Sequence, residues 1–248
     1  MRLHLSRFVC GEPAANLDRM EAECGEAATS GADLCVFPDS FLHGYTRQVD
    51  PAQARARFAA ASGAHPGTAF VFGSFTEERR NRMTVWLEGR EIARYDKVHL
   101  FAPNGECELW EPGDRYATVR LGDWTLGLVN CNDLRFPEQA RALRLQGGCD
   151  LLLAVAWWPW RRDHVMRTLL RARAIENACF AAVCTIAASE WEGERFAGAG
   201  NHVFDPHGEP VRTQDDHSYE LDRGRLASLV VDPVRGLVDI SQIERFGA

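Results

Sequence analysis

A cysteine at the end of an apolar run is the residue of this chain best placed for nucleophilic chemistry. Residues 126–130 have the pattern of a buried strand, Cys131 follows them, and Pro137 begins a segment with helical spacing of apolar residues. A thiol at a strand-to-helix turn lies near backbone N–H groups and the positive end of a helix, which favour a thiolate and an oxyanion. Because the chain has eight cysteines and free cysteine is commonly buried, Cys131 needs partners before it can be called catalytic.

A lone lysine is the second feature of interest. The chain has 28 basic residues, and Lys97 is the only lysine among them. One interpretation is a compositional drift toward arginine. The other is that the site of Lys97 needs a compact ammonium, which a planar guanidinium cannot replace.

Acidic residues supply candidates for a base. Asp39 follows the apolar residues 33–37 and Pro38, so it would stand at the carboxyl end of a buried strand, where open α/β sheets place ligand-contacting groups. The alternative is a turn or helix-cap aspartate. Glu106, Glu108 and Glu111 lie in a loop with Trp110, and they are either pocket carboxylates or solvated loop charges.

Aromatic and basic residues follow another buried strand, predicted over 149–156. Trp157 and Trp158 could wall a small-molecule site, with Arg161 or Arg162 pairing with an anionic group. A core cluster or a subunit contact is an equally good interpretation of these tryptophans.

The elements that must position these residues alternate along the chain. Helices are predicted over 13–31, 51–61 and 164–178, with the arginines of the last one on a solvated face, and the final strand is predicted over 226–231. Strands alternating with helices in both halves favour an α/β fold in which two sheets pack face to face with helices outside. Repeats and linkers are absent from the sequence, so residues 1–248 are predicted to form a single domain.

Composition narrows the function classes. The chain is 46% hydrophobic and 25% charged, with a net charge of −7, which is typical of a globular protein and argues against nucleic acid as a partner. The first ten residues lack the long apolar run of a signal peptide or membrane span, so we expect a cytoplasmic protein with reduced cysteines. The cysteines and histidines are not at zinc-ligand spacing, and no metal site is expected.

Three motifs together resemble the nitrilase, or carbon-nitrogen hydrolase, superfamily, and the likeness covers nearly the whole chain. They are Phe37-Pro38-Asp39-x-Phe41-Leu42-x-Gly44-Tyr45, Tyr95-Asp96-Lys97-Val98-His99-Leu100-Phe101 and Asn130-Cys131-Asn132-Asp133-Leu134-Arg135-Phe136-Pro137-Glu138. Glu106 matches an additional glutamate of many members. The Trp158-Pro159-x-x-Arg162 pattern looks most like the omega-amidase branch, which hydrolyses monoamides of small dicarboxylic acids.

The resemblance implies a four-layer αββα sandwich, a homodimer, a small-molecule substrate and no cofactor or metal. It also implies amide hydrolysis through a Cys131 thioester, with Asp39 as base, Glu106 beside it, and an oxyanion held by Lys97 and the backbone N–H of Asn132. Nitrile or carbamoyl hydrolysis would use the same residues.

Three places depart from the family pattern, and one of them is Gly200-Asn201, which stands where a His-Ser pair is common in the family. Asp39 stands where the family has glutamate, and Asn132 replaces the aromatic residue that normally follows the nucleophile. Losing one methylene withdraws the carboxylate by roughly 1 Å, which can cost on the order of 10²-fold in rate. Asp39 could act directly after a small backbone adjustment or through a bridging water. The third interpretation is an impaired member kept for binding or assembly.

Overall fold

The computed structural model describes residues 1–45, 47–189, 196, 200–213 and 215–227. The strands are β1 (Arg2–Leu5), β2 (Val9–Cys10), β3 (Leu34–Val36), β4 (Ala69–Glu77), β5 (Arg80–Leu87), β6 (Arg90–Asp96), β7 (Thr118–Leu121), β8 (Trp124–Asn130), β9 (Leu151–Ala156), β10 (Phe180–Thr185), β11 (Ala188–Ser189), β12 (His202–Phe204) and β13 (Ser218–Glu220). The α-helices are α1 (Pro13–Thr29), α2 (Pro51–Ala64), α3 (Glu106–Leu109), α4 (Pro137–Leu145), α5 (Asp163–Asn177) and α6 (Gly224–Ala227).

Two sheets account for most of these strands. One has six strands in the order β13-β1-β3-β4-β5-β6, and the other has five in the order β12-β10-β9-β8-β7. The central strands of each sheet are parallel: β1, β3 and β4 in the first, and β8, β9 and β10 in the second. The carboxyl ends of parallel neighbours meet at the same sheet edge, which is where this fold collects functional groups.

Three apolar clusters hold the layers together. The first lies between the sheets and contains Leu5, Val36, Leu128 and Val155 among others. The second packs α1 and α2 against the six-stranded sheet, and the third packs α4 and α5 against the five-stranded sheet. The predicted αββα sandwich is therefore confirmed.

Local signals explain several helix starts. Proline stands at the first turn of α1, α2 and α4, where its missing N–H has no intrahelical acceptor to lose. The predicted helices over 13–31, 51–61 and 164–178 correspond to α1, α2 and α5. The strand predicted over 226–231 is wrong at its start, because Gly224–Ala227 is helical; residues 228–231 lie outside the described part of the chain.

The basic face of α5 is only partly solvated. Arg167 and Arg171 are exposed, as expected, but Arg173 is buried. Its guanidinium donates to the Leu134 carbonyl at 3.2 Å and pairs with Glu176 at 2.9 Å. The prediction was wrong for Arg173 because the turn that carries Leu134 covers this part of the helix. Searched over the described residues, no helix is long and apolar enough to cross a membrane.

Candidate active site

The predicted site residues follow strands that end at one edge of the sandwich. Asp39 lies shortly after β3 in one sheet, whereas Cys131 directly follows β8 and Trp157 directly follows β9 in the other. Lys97 directly follows β6 at the rim of the first sheet. Residues far apart in sequence are brought together because both sheets present these strand ends to the same space.

Cys131 occupies a constrained position. It is the first residue of a 3₁₀ turn, Cys131–Arg135, and its φ of 49° is in the left-handed region that non-glycine residues rarely adopt. Such conformations cost on the order of 1–3 kcal/mol and persist where the surroundings hold them. The Sγ atom lies 3.8 Å from the Trp157 carbonyl, at the end of the neighbouring strand.

Asp133 fixes this turn and connects it to the Lys97 segment. Its carboxylate accepts from the backbone N–H of Asn130 at 3.0 Å, from the Tyr95 hydroxyl at 2.7 Å and from the backbone N–H of His99 at 2.8 Å. Tyr95 and His99 stand two residues on either side of Lys97. One buried carboxylate therefore sets the position of the cysteine relative to the lysine.

Asp39 is fully buried and accepts hydrogen bonds at both oxygens. Its Oδ1 accepts from the Ser74 hydroxyl at 2.5 Å, the Asn81 amide at 3.1 Å and the Ser40 hydroxyl at 3.2 Å. Its Oδ2 accepts from the Tyr45 hydroxyl at 3.1 Å. These four donors are placed for a carboxylate of aspartate length.

Close backbone approach makes the Asp39 network possible. A Cβ built on Gly73 of β4 would lie 1.8 Å from the Pro38 carbonyl oxygen, so any larger residue there would push the segment before Asp39 away. The β4–β5 register also shifts between Phe72 and Phe75, which is where Ser74 lies. The bulge and the glycine together aim Ser74 at Asp39.

Lys97 and Glu106 form a buried ion pair. The Lys97 ammonium lies 2.8 Å from Glu106 Oε1, and the two side chains are 0% and 1% exposed. Glu106 Oε2 accepts from the backbone N–H of Phe101 at 2.7 Å. The Tyr45 hydroxyl lies 3.0 Å from Glu106 Oε1 as well as close to Asp39, so its single hydrogen is shared between two carboxylates.

Burial and charge set the protonation of these groups. Burial raises the pKa of Cys131 to about 12; the Lys97 charge opposes this rise, and the Asp39 and Glu106 charges add to it. Burial by itself would lower the pKa of Lys97, but the neighbouring Asp39, Cys131 and Glu106 raise it overall. Burial also raises the pKa of Glu106, against the effect of Lys97. The resting site therefore holds a neutral thiol next to a permanent ammonium.

A cavity of about 360 Å³ opens onto the thiol. Its lining is mostly aromatic and polar: Tyr45, Phe101, Asn104, Glu106, Leu109, Cys131, Asn132, Arg135, Trp157, Trp158, Pro159, Arg162 and Phe196. The volume suits a small molecule. Asp39 and Lys97 are not in the lining, but hydrogen bonds connect them to Tyr45 and Glu106, which are.

The tryptophan-arginine stretch divides between the cavity and the surface. Trp157, Trp158 and Arg162 line the cavity, whereas Arg161 is exposed and does not. The Arg162 guanidinium lies 5.6 Å from the centre of the Phe101 ring. Arg135, which the sequence analysis did not select, lines the cavity with its guanidinium 4.7 Å from the centre of the Trp158 ring.

The remaining residues of the site were predicted from the sequence only in part. Glu106 is buried, while Glu108 and Glu111 are exposed, so the solvated interpretation holds only for the last two. The Asn132 side chain donates to the His99 carbonyl at 3.1 Å, in place of an aromatic contact. Tyr45 and Asp133 were not selected, although both stand inside quoted motifs.

Comparison with known proteins agrees with this geometry. A family model described as carbon-nitrogen hydrolase matches residues 5–231. The omega-amidase YafV of Escherichia coli K12 is 31% identical over 76% of this chain and 75% of its own length. The 2-oxoglutaramate amidase of Bacillus subtilis is 31% identical over 80% and 79%.

The chain is also similar to a solved amidase structure. A glutamate-to-glutamine mutant of the amidase from Nesterenkonia sp. AN1 has a TM-score of 0.80 and 26% identity, covering 93% of this chain and 94% of that one. That structure carries covalent addition of the acetamide moiety of fluoroacetamide at the active-site cysteine of the Nesterenkonia enzyme.

Proposed function

Since the chain belongs to the carbon-nitrogen hydrolase family, we propose that it is an amidase that cleaves a small amide with a distal carboxylate through a Cys131 thioester. The observation that carries the proposal is the placement of Cys131. Its thiol lines a small aromatic cavity together with Glu106, and the charges of Lys97 and Asp39 both act on it.

Acylation begins with a neutral thiol. Because the pKa of Cys131 is raised to about 12, its proton must leave as sulfur attacks the amide carbonyl, and Asp39 is the base that takes it, directly or through a water. The C–N bond then breaks, the proton passes to the leaving nitrogen, and ammonia departs. The acyl group remains on Cys131 as a thioester.

Two donors stabilise the oxyanion of the tetrahedral intermediate. The Lys97 ammonium is fully buried, so bulk water screens its charge less than it would at the surface. The backbone N–H of Asn132 stands at the second position of the 3₁₀ turn, where an N–H has no acceptor within the turn. Glu106 holds Lys97 in place through their 2.8 Å ion pair.

Deacylation reverses the proton path. A water molecule gives a proton to the Asp39 carboxylate as its oxygen attacks the thioester carbonyl. The C–S bond breaks, the sulfur regains the proton, and the carboxylic acid product leaves. No step requires a group beyond water and the side chains already named.

Substrate preference follows from the basic residues of the cavity. Arg162 and Arg135 both line it, and guanidinium groups bind carboxylates with paired hydrogen bonds. The names of the omega-amidase and 2-oxoglutaramate amidase relatives agree with a substrate that carries an amide at one end and a carboxylate at the other. We assign the carboxylate to the Arg162 side of the cavity.

Replacement of Arg162 by glutamine should raise KM for such a monoamide by about 10- to 100-fold, the value of a charge-assisted hydrogen bond. Wild type and Arg162→Gln should hydrolyse an uncharged amide of the same length with equal KM. Arg161→Gln is the matched control, because Arg161 is adjacent in sequence but does not line the cavity. Steady-state ammonia release with both substrates makes the measurement. Equal KM changes in the two variants would remove the carboxylate assignment.

The short carboxylate at position 39 favours a second candidate, an impaired member with a binding or scaffold role. The contacts of Asp39 argue for the enzyme, since four donors are placed for a side chain of aspartate length. A panel of amides, nitriles and carbamoyl compounds, assayed for ammonia, separates these activities from one another and from inactivity.

Asp39→Glu should lower the activity of the chain. The added methylene has no free space, so overpacking costs about 1–3 kcal/mol, and displacement of the carboxylate costs on the order of 10²-fold in kcat. Thermal unfolding and ammonia release measure the two effects. A gain in kcat would show instead that Asp39 is an impaired base, and it would favour the second candidate.

A further inference from the structure

Two histidines and a glutamate meet on the outer side of the six-stranded sheet, away from the cavity. His4 lies on β1, Glu23 on α1, and His217 directly precedes β13. One ligand atom from each lies within 4.8 Å of the other two. None of the three lines the cavity of the candidate active site.

We propose that His4, Glu23 and His217 form a binding site for a divalent transition metal ion of the zinc class. Neutral imidazole and carboxylate are ligands of Zn²⁺, and three protein ligands leave one position of a tetrahedron for water. Mg²⁺ and Ca²⁺ prefer all-oxygen ligands, so the two imidazoles select against them.

The distances fit such an ion. Zn–N and Zn–O bonds of about 2.0–2.1 Å place neighbouring ligand atoms of a tetrahedron about 3.3 Å apart. His4 Nε2 lies 3.3 Å from Glu23 Oε1, so one edge of the tetrahedron is already present. The 4.8 Å limit on the remaining separations means that His217 needs only a side-chain adjustment to complete the site.

Unpaired ring nitrogens give the second argument. The Nδ1 atoms of His4 and His217 are buried and have no hydrogen-bond partner among the described residues. A buried polar atom left without a partner is costly, and an ion bound through His217 Nδ1 would give that atom a partner, whereas His4 would bind through Nε2. The two rings are stacked, with centroids 5.4 Å apart and an interplanar angle of 10°, so the two imidazoles are direct neighbours in the folded chain.

Neighbouring groups orient the ligands. The Ser6 hydroxyl donates to Glu23 Oε2 at 2.8 Å, which leaves Oε1 directed at His4. The backbone N–H of His217 donates to Asp215 Oδ1 at 3.0 Å. In metal sites, hydrogen bonds from neighbouring residues hold the metal-binding residues in place. A bound ion would connect β1, α1 and the segment before β13, which are distant in sequence.

The test is metal binding by chelator-treated full-length protein, titrated with Zn²⁺ by calorimetry and with Co²⁺ by absorption spectroscopy. We expect one Zn²⁺ per chain, no uptake of Mg²⁺, and at least about 100-fold weaker Zn²⁺ binding in His217→Ala. Glu23→Gln should show the same loss, and it keeps hydrogen-bonding capacity toward Ser6 and His4 in case His217→Ala folds poorly. His207→Ala, which removes an exposed histidine, is the matched control and should bind as wild type does.

The cysteine thiols of the chain are alternative ligands for Zn²⁺, and the Co²⁺ spectrum distinguishes binding by thiolates from binding at the proposed site. Nitrogen and oxygen ligands give d–d bands without a thiolate-to-cobalt charge-transfer band. Saturating Zn²⁺ at about 100 times its Kd should also lower the unfolding equilibrium constant about 100-fold, raising Tm by on the order of 5–10 °C in wild type. Absence of binding, equal affinity in all variants, or a thiolate spectrum would overturn the proposal.

Discussion

Cys131→Ala should abolish ammonia release from every amide that the wild-type protein hydrolyses, with kcat/KM falling by at least about 10⁴-fold. Among the residues that the structure describes, the Cys131 thiol is the nucleophile that lines the cavity close to the ammonium-carboxylate pair. Alanine keeps the small volume of the position, so the loss reflects missing chemistry more than altered packing. Alanine would have to adopt the same left-handed φ of 49° as Cys131, at a similar cost.

Cys107→Ala is the matched control for that variant. Cys107 lies next to Glu106 in the sequence but is exposed, and it does not line the cavity. Its replacement should leave ammonia release within about twofold, as is usual for surface substitutions. Intact-mass measurement after a rapid acid quench should detect the acyl group on wild type and on Cys107→Ala only. Turnover by Cys131→Ala, or an acyl adduct on it, would contradict the thioester mechanism.

Reactivity toward electrophiles gives a separate measure of the same thiol. Since the pKa of Cys131 is raised to about 12, the free thiol should react slowly with general alkylating reagents, and the exposed Cys107 should react first. Fluoroacetamide carries the amide group of the proposed substrate but no carboxylate, and we expect it to react with Cys131 faster than a general alkylating reagent does. The covalent acetamide adduct at the cysteine of the Nesterenkonia amidase is the corresponding product in that enzyme.

Strand ends explain why much of the site could be predicted from sequence. Cys131 and Trp157 follow short apolar runs, and such runs form buried strands whose ends meet at one sheet edge. Lys97 was selected by a different signal, its being the only lysine of the chain. Both signals can be recognised in the sequence without knowing which distant segments come into contact.

Contacts between distant segments explain what sequence could not predict. The burial of Glu106 depends on Lys97 and on the Phe101 N–H, and neither pattern nor composition separates it from the exposed Glu108. Arg173 looks like part of a solvated helix face until the Leu134 carbonyl is placed over it. His4 and His217 are more than two hundred positions apart, so no spacing rule connects them.

Lys97→Met should lower both activity and stability, because it leaves two buried carboxylates without their cation. Breaking a buried ion pair by removing one partner costs about 3–5 kcal/mol of the free energy of unfolding, which corresponds to a fall in Tm on the order of 10 °C. Loss of the proposed oxyanion donor should lower kcat/KM by at least about 10²-fold. Thermal unfolding and ammonia release measure the two effects.

The pH dependence of that stability loss has a definite sign. The pKa of Glu106 is already raised by burial, and without Lys97 it rises further above its value in the unfolded chain. A carboxyl group with a raised pKa in the folded state destabilises the fold as pH increases through the unfolded value toward the folded one. The deficit of Lys97→Met should therefore be small near pH 4 and grow as the pH approaches neutrality.

A double mutant separates stability from catalysis in this pair. Lys97→Met combined with Glu106→Gln removes one of the two uncompensated charges, so part of the lost stability should return, and Glu106→Gln alone completes the cycle. Activity should not return, because the oxyanion still lacks its ammonium. Restoration of both stability and kcat/KM in the double mutant would mean that Lys97 only neutralises Glu106, and the oxyanion would then depend on the Asn132 N–H alone.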